Sequence, residues 1–262
     1  MKHASRNPLS LIAAAAIYVL TAAISLNAHV DEKQIYLQPD VLPLRGWAEP
    51  RPQPETFDPT YILTASIYPI GWSADGKFAY FIEFPDEDCG CYFADLIIQD
   101  LVTDKTVWKD EYRSEPLEDG REENIDTHWA KKQAEFSAKL REHKIVQQTD
   151  FKLIYPSLKF ERDTLTPSID VRIKSDGDFE VIGTVTVRMK SARRGTKIVM
   201  RDVYKKGEVS GFRRAMIPGM LKSPFEDRVA IIVVSEYRGW EGPPHITGIQ
   251  VVGSTLKTGF KK

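Results

Sequence analysis

From Ile169 to Met189 apolar and polar residues take turns almost without a break. Ile169, Val171 and Ile173 alternate with Asp170, Arg172 and Lys174. After the turn residues Ser175-Asp176-Gly177-Asp178, the residues Phe179, Val181, Val185, Val187 and Met189 alternate with Glu180, Thr184, Thr186, Arg188 and Lys190. Strand side chains switch faces at every step, so this pattern commits the segment to a hairpin with one face on a core and one in water. Ser191 to Gly195 turns the chain again, into a strand from Lys197 to Tyr204. An antiparallel meander is the frame of any fold this chain adopts.

The earlier half follows the same logic. Tyr61 to Tyr68 is β-prone, and Gly71 to Gly76 is a turn in which Asp75 can bond local backbone and Gly76 can take positive φ. Lys77 to Phe84 carries apolar residues on both faces, Phe78, Tyr80 and Ile82 against Ala79 and Phe81, which predicts burial on both sides. Further strands are expected at Tyr92 to Asp100 and Lys105 to Trp108. One helix breaks the rhythm near 124–145: Trp129, Phe136 and Leu140 share a stripe at 3.6 residues per turn. Asn124 or Asp126 can cap its start, and Lys139, Arg141, His143 and Lys144 suit the negative end of its dipole.

Two segments look related. Lys77-Phe-Ala-Tyr-Phe-Ile matches Arg228-Val-Ala-Ile-Ile-Val in character, and Ile98-Gln99 and Ile249-Gln250 follow at equal spacing. Ser73 and Asp75 precede one copy; Ser223, Glu226 and Asp227 precede the other. The run Trp72-Ser73-Ala74-Asp75-Gly76-Lys77-Phe78-Ala79-Tyr80 resembles the strand-opening motif of TolB-type β-propeller blades. Together with Glu241-Gly242-Pro243 it also resembles a group of predicted secreted bacterial proteins without an assigned activity. The second copy, Ser223-Pro224-Phe225-Glu226, lacks the glycine, and the helix interrupts the blade rhythm of about 40 residues. The expected fold is therefore mainly β: antiparallel sheets, incompletely propeller-like or sandwich-like, with one packed α-helix.

Residues 9–26 are uncharged and follow Lys2 and Arg6. That is the layout of an export signal (1–28), with small residues before a cut such as Ala28–His29. The rival reading is an inner-membrane anchor, although the run is at the short end of the roughly 20 apolar residues that spanning requires. A periplasmic or secreted protein is expected. Residues 29–59 are proline-rich and read as an arm or linker that Trp47 and Phe57 could pin; a single β-rich domain is expected over 60–256, with a tail over 257–262. Lys+Arg 36 against Asp+Glu 37 gives no electrostatic reason to expect nucleic acid or an anionic membrane as partner.

Chemistry concentrates in Asp86-Glu87-Asp88-Cys89-Gly90-Cys91, which holds both cysteines. In an oxidising compartment the pair favours a disulfide, and Gly90 permits the bend it needs. A structural staple, a redox dithiol, a metal site and two inert thiols remain open. The acidic neighbours argue against a thiolate, and four clustered ligands are lacking for structural zinc. In the second unit the corresponding loop, Glu236 to His245, offers Tyr237, Arg238, Trp240 and His245 to a protein, peptide or glycan, or else forms a rigid turn with Trp240 as a lid. Asp86 and Asp88 complete the candidate contacts.

His3, His29, His128, His143 and His245 show no metal spacing, Gly207 to Gly211 misses the nucleophile-elbow spacing, and no phosphate or dinucleotide loop occurs. Asp176-Gly177-Asp178 is too short for a calcium loop, and the basic tip Arg193-Arg194 reads as solvated. No catalytic residue, metal or cofactor is assigned. The expectation is an exported envelope protein acting as a binding or structural module, with thiol-disulfide or metal handling through the Cys-Gly-Cys loop as the alternative.

Overall fold

Two strands apolar on both sides divide the protein into layers. The computed structural model describes residues 33–44, 62–87, 89–115, 123–176, 179–203, 211–239 and 242–262. The expected export segment, Trp47, Phe57, Asp88 and Trp240 lie outside them. The elements are β1 (Ile62–Leu63), β2 (Ser66–Trp72), β3 (Lys77–Phe84), β4 (Phe93–Asp100), β5 (Lys105–Arg113), α1 (Ile125–Glu142), β6 (Val146–Gln147), β7 (Leu158–Phe160), β8 (Asp163–Asp176), β9 (Phe179–Ser191), β10 (Gly195–Val203), β11 (Phe212–Lys222), β12 (Arg228–Gly239) and β13 (Gly242–Thr255).

Three sheets result: β5-β4-β3-β2-β6, β1-β13-β12-β11 and β10-β9-β8-β7. Pairing is antiparallel except between β1 and β13. The first sheet packs on the second through Phe78, Tyr80 and Ile82 of β3 against Ala230, Ile232 and Val234 of β12. The other face of β3, Ala79 and Phe81, meets α1. The other face of β12, Val229, Ile231 and Val233, meets Leu165, Val187 and Met189 of the third sheet. The order is thus helix, sheet, sheet, sheet, and among the described residues the sheets close into neither a barrel nor a propeller ring. β3 and β12 are apolar on both sides because each is a dividing wall; full burial of a side chain such as Phe81 stabilises by about 2–3 kcal/mol.

Helix α1 starts at Asn124, whose side chain accepts from Thr127 N at 3.1 Å while the Thr127 hydroxyl accepts from Asn124 N at 3.2 Å. Trp129, Phe136 and Leu140 form its buried stripe as expected. The arm is ordered over 33–44, and described residues other than the expected aromatics pin it. Tyr36 is fully buried against α1, its hydroxyl donating to the Ile145 carbonyl and its N–H to Ser137 Oγ. Leu42 enters the core between the first two sheets.

The repeat is a fold-level repeat with a corrected register. In the first hairpin Lys77 pairs with Asp100 and Ala79 with Ile98; in the second Arg228 pairs with Thr255 and Ala230 with Gly253. Gly253 therefore occupies the place of Ile98, and the Ile249-Gln250 match is displaced because the second hairpin is longer. Strand β5 continues past Trp108 to Arg113, paired with β4 throughout. The segment 257–262, expected as a tail, is docked: Lys261 exchanges backbone bonds with Thr196, and the Phe260 ring lies beneath the cations of Arg194 and Lys197.

Candidate functional site

The β3–β4 hairpin end is organised by two carboxylates. Asp86 accepts from the backbone N–H groups of Cys89 (3.1 Å), Gly90 (2.7 Å) and Cys91 (3.2 Å). Gly90 takes φ +67°, which glycine tolerates without strain, and Cys89 and Cys91 are joined by a disulfide with Cα atoms 5.1 Å apart. Asp86 Oδ1 also lies 3.2 Å from Cys89 Sγ. The loop is thus closed covalently and gripped at its backbone from one side.

Glu83 fixes the base of that loop. It accepts from the Tyr92 hydroxyl (2.7 Å), from the Tyr68 hydroxyl and from Ile125 N (3.2 Å) at the positive start of α1. Burial and then the Glu83 carboxylate raise both phenols well above the usual tyrosine range, so they stay protonated and donate to it. Tyr92 N–H donates to Ser114 Oγ at 2.7 Å. Next to this hub His128 is buried among Phe81, Tyr92, Tyr112 and Phe136, with Nε2 3.8 Å from Asp110 Oδ2. Burial pushes its imidazole below the ordinary value, and Asp110 and Glu123 pull it part of the way back. The Glu123 carboxylate, accepting from Tyr112, pushes that phenol up to about 12.

At the β12–β13 hairpin end the organising group is Glu236, whose side chain is 3% exposed and bonds the Nε atoms of Arg213 (2.7 Å) and Arg214. Tyr237 points to the other face, edge-on to Phe212. Arg238 is exposed and its N–H donates to the Gly211 carbonyl at 2.6 Å. His245 is buried on β13, paired in register with Ile62 of β1, rather than displayed. Among the described residues no hydrogen bond or ion pair joins 85–92 to 236–245; each loop is held by its own sheet.

Of the residues singled out from sequence, Asp86, Cys89 and Cys91 come together, and their ligand atoms lie within 4.8 Å of one another. Tyr237, Arg238 and His245 share a hairpin, with Arg238 exposed and His245 buried. Glu83, Glu236, Arg213 and Arg214 were missed. A usable signal existed: Glu83 and Glu236 each interrupt the end of an apolar run whose other members are buried. No helix among the described residues is long and apolar enough to cross a membrane. No family model, curated protein or solved structure matches the chain.

Proposed function

We propose that the chain is an exported, non-catalytic binding or structural module of the cell envelope, periplasmic or secreted, that meets a protein, peptide or glycan through its hairpin ends. The observation carrying this reading is the Cys89–Cys91 bridge inside a loop already gripped by Asp86. A bridge between cysteines two residues apart persists where oxidant replaces the cytosolic thiol pool. The carboxylate 3.2 Å from Cys89 Sγ would raise thiol pKa after reduction, which opposes a reactive thiolate and favours a staple.

The alternative, thiol-disulfide exchange or metal handling, draws on the clustering of Asp86, Cys89 and Cys91. One experiment separates the readings. Cells producing the full chain are fractionated, and the recovered protein is alkylated without reductant and weighed. The envelope reading expects a chain cut near Ala28–His29, outside the cytosol, with no mass gain. Intact chain bearing its initiator methionine among cytosolic proteins, with two alkylated thiols, overturns it. A reduction potential within the working range of thiol oxidoreductases would favour the alternative.

A further inference from the structure

We propose that the outer face of the third sheet is a docking surface for a membrane rich in anionic lipid. The inference goes beyond the hairpin-end reading and does not rest on it. Leu165, Val187 and Met189 enter the core, so the residues that alternate with them on β8 and β9 face away from it. Ladder partners share a face: Thr166 pairs with Lys190, Ser168 with Arg188, Asp170 with Thr186 and Arg172 with Thr184. On β10, Ile198 pairs with Arg188, Arg201 with Thr186 and Val203 with Thr184. Met200, paired with Val187, packs on the core, which leaves Arg201 on the outside. Exposure agrees, since Arg172, Lys190, Ile198, Arg201 and Val203 are all exposed. No described helix or strand packs over this face.

The near-balance of Lys+Arg 36 and Asp+Glu 37 holds for the chain and not for this face. Arg172, Arg188, Lys190 and Arg201 lie on it. Lys159 of β7 joins them, its Nζ donating to Thr164 Oγ1 at 2.9 Å. Among the described ladder positions of the face Asp170 is the one carboxylate, 3.9 Å from Arg172 and 3.7 Å from Arg188. Neighbouring strands lie about 4.8 Å apart, so each of the four ladder cations has another within the Debye length of about 10 Å at 0.1 M salt. Their fields add.

Ile198 and Val203, 56% and 67% exposed, sit among these cations. A bilayer surface supplies what both kinds of group need. Lipid phosphates meet the guanidinium and ammonium groups, and the acyl boundary beneath receives the aliphatic side chains. Nucleic acid fits less well, since no ladder position of the face carries an aromatic ring on which a base could stack. The helix at the other end of the layers provides the contrast. There Lys132 and Lys139 are paired with Glu135 and Glu142. Lys190 and Arg201 make no ion pair among the described residues.

The test is co-sedimentation of the purified full chain with vesicles at low ionic strength. One set is phosphatidylcholine alone, the other a roughly two-to-one mixture of phosphatidylcholine and phosphatidylglycerol. Binding is expected only to the anionic set, and salt of about 1 M, which screens within about 3 Å, should release it. A cation at an anionic surface contributes about fivefold, so Arg201→Ala and Lys190→Ala should each weaken binding by that factor. Arg201→Lys, which keeps the charge, should nearly preserve it. Asp170→Asn removes the opposing charge and should strengthen binding, a gain that a folding defect does not imitate. Val203→Ser should weaken binding without changing its salt dependence, and Lys139→Ala, on α1, should leave it unchanged. Equal binding to neutral vesicles, no binding to anionic ones, or equal loss with Lys139→Ala overturns the proposal. Retention on polygalacturonate without vesicle binding also overturns it and assigns the face to an acidic glycan. The cell-fractionation result and this one stand or fall separately.

Discussion

The meanders β2–β4 and β11–β13 begin alike and end differently. At the start, Ser73 N donates to the Lys77 carbonyl and Ser223 N to the Arg228 carbonyl; Leu101 N donates to the Gly76 carbonyl and Leu256 N to that of Asp227. The two starts also touch, since the Arg228 guanidinium donates to the Leu101 carbonyl at 2.7 Å and Asp104 Oδ1 accepts from Gly253 N at 2.6 Å. At the far end one meander carries an acidic, disulfide-closed loop, the other a buried glutamate beneath arginines. Geometry shared with a neighbouring sheet constrains sequence tightly. Geometry at a free end leaves charge and closure open to change.

The largest expected effect breaks the meeting of the two starts. A Cβ at Gly253 would run into the Leu101 carbonyl and side chain, so Gly253→Ala should destabilise by about 3 kcal/mol, the upper range of overpacking. Urea unfolding measures it, and a wild-type midpoint would mean the sheets do not meet there. Next, Glu236→Gln removes the charge facing two arginines. Breaking a buried pair costs about 3–5 kcal/mol, and with both guanidiniums half exposed we expect about 2 kcal/mol, read from the same unfolding curves.

The covalent closure of the other end should matter less. Chain entropy for so short a loop gives about 1.5 kcal/mol at most, so Cys89→Ser should shift the midpoint only slightly, the more so because Asp86 keeps its three amide bonds. A loss exceeding that of Glu236→Gln would reverse the ranking of the two ends. The smallest effect belongs to His128. Its folded pKa is depressed, so the unfolded chain takes up the proton first as pH falls. Its contribution is complete above the unfolded value near 6.5 and is lost as pH falls through the folded value. Asp110 and Glu123 moderate the slope. Thermal unfolding between pH of about 7 and about 5 should show a falling midpoint, flattened by His128→Leu.

Much of the layering was legible in the chain. Two-sided apolar runs mark β3 and β12 as walls, period two marks β8 and β9, and the Trp129 stripe marks α1. The hairpin register was not legible, because Lys77 and Arg228 align their strands while the added length of the second loop shifts every partner on β13. The same holds for the sites. Asp86, Cys89 and Cys91 are neighbours in sequence and could be read together. Glu236 meets Arg213 across a bulge, and Glu83 meets Ile125 across 42 positions, contacts that local pattern does not encode.

Tyr36 seals the helix layer by bonding to Ser137 and Ile145, which follow it by 101 and 109 positions. During synthesis the earliest-made part of that layer must therefore wait, unsheltered, until the whole of α1 has left the ribosome. A cut beyond residue 36 would remove this aromatic plug and leave the helix without its seal.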